Sequence, residues 1–75
     1  MSENRLTYKK DESYKDSLEC RQLCEWVGKD KRVLEIGCHT ADLGKEIKKN
    51  GNYVVGIDYN KEAINIAKNV IQEAY

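Results

Sequence analysis

The sequence predicts an α/β domain in which one helix leads into a strand–helix–strand unit and a further helix follows, with the two strands parallel. Three observations predict it. Two five-residue segments, Arg32 to Ile36 and Tyr53 to Ile57, are rich in aliphatic and β-branched residues and are bounded by turn formers. Apolar residues on either side of them recur at helical spacing. The stretch between the strands is short and reads as a single helix, which demands a parallel pair with a right-handed crossover.

Each element has its own warrant. Met1 to Asp11 is polar and aperiodic, so residues 1–12 are expected to form a flexible arm and residues 13–75 the folded unit. A helix is expected from Ser13 to Val27, because Cys20, Leu23, Cys24 and Val27 fall on one face, with Tyr14 and Leu18 extending it. Gly28 sits where a helix ends. Val33, Leu34 and Ile36 place apolar side chains on both faces of the first strand, the pattern of a strand covered on both sides. After a loop from Gly37 to Asp42, a helix runs to about Lys49, with Leu43 and Ile47 inward and Asn50-Gly51 as its stop. The second strand is again apolar on both faces. Asn60 then caps a last helix expected from Lys61 to Ala74, with Ala63, Ile64, Ala67, Val70 and Ile71 as its buried stripe. The order α-β-α-β-α is the opening half-unit of a doubly wound sheet.

Composition excludes several functions. The chain has 75 residues, 40% of them hydrophobic, with 13 basic and 13 acidic side chains. That length carries one domain, which buries only about 60% of its unfolded surface. Neutral charge lacks the electrostatic footprint of a nucleic-acid binder, and the five tyrosines are scattered without basic interleaving. No apolar run is long enough to span a membrane. The start lacks a secretory pattern, so a cytoplasmic setting is expected. Three cysteines form no closed disulfide set. Cys20, Cys24, Cys38 and His39 lack the close-spaced pairs of a zinc site, so the thiols are read as core and no metal is expected.

The chemistry is expected in Val33-Leu34-Glu35-Ile36-Gly37-Cys38-His39-Thr40-Ala41-Asp42-Leu43-Gly44, where a strand enters a glycine-bearing turn and then a helix. Ligands of such folds bind at the carboxyl ends of the strands. Gly37 permits a sharp turn and close approach. Asp58, twenty-one residues beyond Gly37, is placed to accept hydrogen bonds from ribose hydroxyls, and Tyr59 could lie against a purine. A dinucleotide fingerprint needs glycines at the first, third and sixth positions of the turn, which here are Gly37, His39 and Asp42. Asp42 at the helix N-terminus also repels a pyrophosphate, and Glu35 adds negative charge. A cationic ligand without phosphate, such as S-adenosylmethionine, suits these residues better.

Val33 to Gly44 resembles the first motif of the Rossmann-like S-adenosylmethionine-dependent methyltransferases, a strand ending in an acidic residue, an apolar residue and a glycine loop. Val55-Gly56-Ile57-Asp58-Tyr59-Asn60-Lys61-Glu62-Ala63-Ile64 resembles the second. The resemblance spans roughly Trp26 to Asn69. It implies that Glu35 and Gly37 line the methionine end of the cofactor, Asp58 holds the ribose and Tyr59 borders the adenine. Cys38 and His39 complete the cofactor loop. Where the family carries G-x-G-x-G, this chain carries Gly37-Cys38-His39-Thr40-Ala41. Ala41 resists a positive φ, and the His39 side chain must turn outward or crowd the cofactor.

A complete enzyme of that family has seven strands, and its later strands bind the methyl acceptor. The chain is therefore expected to be the cofactor-binding portion, incomplete and inactive alone, with no catalytic residue identified. Two rival expectations stand beside it. One is a non-enzymatic assembly module that forms homo-oligomers through an unpaired strand edge. The other is a nucleotide-binding half-domain. His39 as a base and Cys38 as a nucleophile lack visible partners, and the Lys45, Lys48 and Lys49 group reads as a solvated helix face.

Overall fold

The computed structural model describes residues 16–75, so the expected arm and the first residues of the expected leading helix lie outside the described residues. Helix α1 spans Leu18–Val27. The Ser17 hydroxyl caps it, accepting from the Cys20 N–H at 3.1 Å, and Gly28 closes it at φ 74°. Strand β1 follows at Arg32–Ile36, helix α2 at Asp42–Lys49, strand β2 at Tyr53–Ile57 and helix α3 at Lys61–Ala67. β1 and β2 pair in parallel from Arg32 opposite Tyr53 to Ile36 opposite Ile57.

The last expected helix is shorter than its periodicity implied. α3 starts as expected, with the Asn60 side chain accepting from the Ala63 N–H at 3.0 Å, but it ends at Ala67. Tight turns then take over, with the Asn69 and Val70 N–H groups donating to the Ile66 and Ala67 carbonyls. Beyond them the chain runs back along β2 and forms a third parallel strand, β3, at Glu73–Ala74. Gln72 steers this return. Its side-chain oxygen accepts from the Val54 N–H at 2.7 Å and its amide donates to the Asn52 carbonyl at 3.3 Å. Ile71 is still buried, so the apolar stripe foretold burial while the backbone left the helix. The sheet order is β1-β2-β3.

The core lies between the helices and one sheet face. Val54 and Ala74 from the sheet meet Ile47 of α2, Ile64 and Ala67 of α3, and Cys38, Ala41 and Ile71 from the connections. Among the described residues nothing covers the other face. Leu34 is 60% exposed and Ile36 76%, so the expected two-sided burial of β1 does not occur among the described residues. Its cause is topological: α2 and α3 pack on the same core, leaving the alternate side chains of β1 uncovered. Trp26 is likewise exposed, whereas Cys24 and Val27 of α1 pack against the core.

Buried Asn52 binds three connections together. Its side-chain oxygen accepts from the Lys31 N–H at 2.9 Å, while its amide donates to the Gly28 and Ile47 carbonyls at 2.8 Å each. The α1–β1 turn, the end of α2 and the start of β2 are thereby fixed to one another, which sets the strand register that positions the loop above them.

Candidate functional site

The carboxyl ends of β1 and β2 bring together the loop after Ile36 and the turn after Ile57. The Gly37 and Cys38 N–H groups both donate to the Ile57 carbonyl, at 2.8 and 3.0 Å. The loop therefore hangs from the end of β2. Gly37 has φ 76°, and a side chain placed there would meet nothing within 4 Å, so its outer surface is open to a ligand.

The loop keeps the backbone of a glycine-rich turn with only one glycine in it. His39 has φ 54° and Ala41 φ 69°, so the first, third and fifth loop positions are all left-handed. Such a conformation costs a non-glycine residue about 1–2 kcal/mol, which the surrounding contacts must hold in place. Ala41 is held by complete burial, and its carbonyl accepts from the Lys45 N–H at 2.8 Å, starting α2. His39 is held through its N–H, which donates to Asp58 Oδ2 at 2.8 Å, while the residue itself is exposed.

Asp58 accepts two backbone hydrogen bonds, from His39 on one oxygen and from the Asn60 N–H at 2.9 Å on the other. These donors, Asn60 foremost, hold its carboxyl below the ordinary range, so it is ionised at neutral pH. Each oxygen retains acceptor capacity for a further donor. Tyr59 beside it is 97% exposed, with a free ring face.

Glu35 is in the opposite condition. Its Oε1 is buried and has no hydrogen-bond partner. That oxygen lies over the first turns of α2, 2.9 Å from where a Gly44 side chain would begin. Burial first, and the neighbouring Asp42 second, push its carboxyl from 4.5 up to about 7. Two carboxyls at the ends of adjacent strands therefore differ in kind: one ionised and satisfied by donors, the other desolvated and lacking them.

Cys38 turns away from this surface. It is buried, its thiol packs where a side chain at Gly56 would collide at 2.6 Å, and burial raises its pKa. Only its backbone is available to the site. Gly44 and Gly56 were not singled out from sequence as site-shaping residues. A glycine inside a helix and another inside a strand were the available signals, since each marks a close approach.

No family model and no curated protein matches the sequence. Among solved structures, a TehB-like SAM-dependent methyltransferase from Corynebacterium glutamicum is similar, with 28% identity and a TM-score of 0.64. The match covers 75% of this chain and 30% of that one. The fold is part of a Rossmann-like methyltransferase fold. Within it, the loop from Gly37 and the turn at Asp58 stand at the strand ends where doubly wound folds take their ligands. The chain spans about a third of the length of the methyltransferase it matches.

Proposed function

We propose that this chain is the S-adenosylmethionine-binding portion of a methyltransferase, and that S-adenosylmethionine or S-adenosylhomocysteine is its ligand. The observation that carries the reading is the paired carboxyls beside an open, left-handed glycine loop. The residues fit this cofactor on their own chemistry. Glu35 has a buried oxygen in need of a donor, and Gly37 has open space above it. Asp42 and Glu35 disfavour a phosphate and favour a cation. When bound, the cofactor supplies an electrophilic methyl group on a sulfonium.

The residues would divide the ligand between them. Glu35 and the Gly37 backbone hold the amino-acid end. Asp58, kept ionised by its backbone donors, accepts from the ribose hydroxyls with its remaining lone pairs, and Tyr59 lies against the adenine. His39 and Cys38 contribute backbone. These residues are assigned to the cofactor, and none of them to the methyl acceptor. Calorimetric titration with S-adenosylhomocysteine tests this: binding that is lost in Asp58→Ala with the fold retained supports the ribose role. A wild-type protein that gives no heat or displacement at millimolar ligand removes it.

A second reading has one observation in its favour. Among the described residues, Leu34 and Ile36 present an uncovered apolar face beside the β1 edge that β2 does not occupy, a combination that favours self-association. Sedimentation that shows one monomeric species across a wide concentration range counts against it.

A further inference from the structure

Glu35 stands at the site with a buried, unpartnered oxygen. Among the described residues no basic side chain pairs with Glu35, and no donor reaches its buried Oε1. The groups that face it are acidic or apolar. α2 presents Asp42, and the loop presents the Cys38 thiol, which feels both Glu35 and Asp58. Around Gly44, β2 contributes Val54 and the turn before β3 contributes Ile71. A carboxylate among these groups has no countercharge and, on the Oε1 side, no solvent, which favours the neutral acid.

We propose that Glu35 makes ligand binding proton-linked: it carries a proton in the free protein and releases it to solvent when the ligand's ammonium group comes against it. The inference rests on the reading that the site takes S-adenosylmethionine or S-adenosylhomocysteine. The balance is simple. The neutral carboxylic acid loses one proton to the buffer, and the resulting carboxylate accepts hydrogen bonds from the incoming cation. Asp58 cannot play this part, because its backbone donors already hold it ionised. The division makes Glu35 the group that distinguishes ligands bearing an amino-acid end from nucleosides that lack one.

The direction of the pH dependence follows from linkage. Binding selects the ionised form, so affinity rises with pH while the free carboxyl is protonated and levels off once it is ionised. With the acid raised to about 7, affinity for S-adenosylhomocysteine should rise about tenfold between pH 5.5 and pH 7. The ligand's own amine stays protonated over that window.

The test is calorimetric titration of the full chain at several pH values in that window, in two buffers of different ionisation enthalpy. S-adenosylhomocysteine and 5′-methylthioadenosine are the two ligands. The expected result is a rising affinity and net proton release for the first and a flat profile for the second. Glu35→Gln should abolish both the rise and the release, and Asp42→Asn should move the rise to lower pH by removing a like charge. Circular dichroism confirms that each variant is folded. His39 is common to all these proteins, so a rise that survives in Glu35→Gln assigns the proton elsewhere and overturns the inference. S-adenosylhomocysteine binding with a flat profile overturns the inference while leaving the cofactor reading intact. Failure of both ligands to bind at every pH overturns the two together.

Discussion

Replacing Glu35 with glutamine should stabilise the ligand-free protein at pH 8 and leave it nearly unchanged at pH 5. Glu35 is raised from 4.5 to about 7, first by burial and then by Asp42. A raised carboxyl favours the native state in its protonated form. Its contribution is therefore complete below about pH 4.5 and is lost as pH climbs through about 7. For an enclosed group the loss would be about 3 kcal/mol. Glu35 is only half-buried, and solvent screening on its open side reduces this to about 1–2 kcal/mol. For a domain of this size each kcal/mol is about 4–8 °C in Tm. The other shifted groups act elsewhere on the pH scale. Asp58 and Glu73 are lowered, so their contributions disappear only in acid, and Tyr53 and Tyr75 are raised, so theirs disappear only in alkali. Urea unfolding followed by far-ultraviolet circular dichroism from pH 5 to 8 gives the comparison. Wild type should fall relative to Glu35→Gln as pH rises. Parallel curves for the two proteins would refute the claim that a desolvated, donor-poor carboxyl lies against α2.

Three further substitutions probe the framework around the site. Gly56→Ala would place a methyl 2.6 Å from the Cys38 sulfur and 2.9 Å from Ile71. Overpacking there should cost about 1–3 kcal/mol in chemical denaturation. Asn52→Ala leaves the Lys31 N–H and the Gly28 carbonyl without their partner and the Ile47 carbonyl with the Asn50 N–H, and should cost about 2–4 kcal/mol in the same assay. His39→Gly relieves a left-handed non-glycine residue but gives the unfolded chain more freedom, for a net gain of about 0.5 kcal/mol in thermal unfolding. An unchanged or lowered Tm in that variant would show that His39 contributes more than its backbone.

The first two strands were legible because their β-branched composition and bounding turns leave few alternatives. The caps were legible for the same local reason: Gly28 and Asn60 stand where their chemistry requires. The third strand was not, since Val70 and Ile71 continue a helical stripe and two residues of strand carry no periodicity. What makes β3 is a distant contact, Gln72 alongside Val54 and Asn52. Tyr53, twenty residues away, and the neighbouring Tyr75 then fix Glu73 at 2.6 Å each. At the site, Glu35, Gly37 and Asp58 were chosen by residue type and spacing, and the fold brings their strand ends together. Their states were hidden. Asp58 is held by the His39 and Asn60 amides, whereas Glu35 is enclosed beside a helical glycine, and a sequence prints both simply as acids. Of the three left-handed positions of the loop, Gly37 was legible in its residue type, whereas His39 and Ala41 belong to residues that resist that conformation.

The most direct measurement is an amide-shift titration of isotopically labelled protein with S-adenosylhomocysteine, run beside an identical titration with NAD. The account predicts saturable shifts at Gly37, His39, Asp58 and Tyr59 with S-adenosylhomocysteine, and little change with NAD. Shifts confined to other surfaces, or a stronger response at the same amides to NAD, would contradict it.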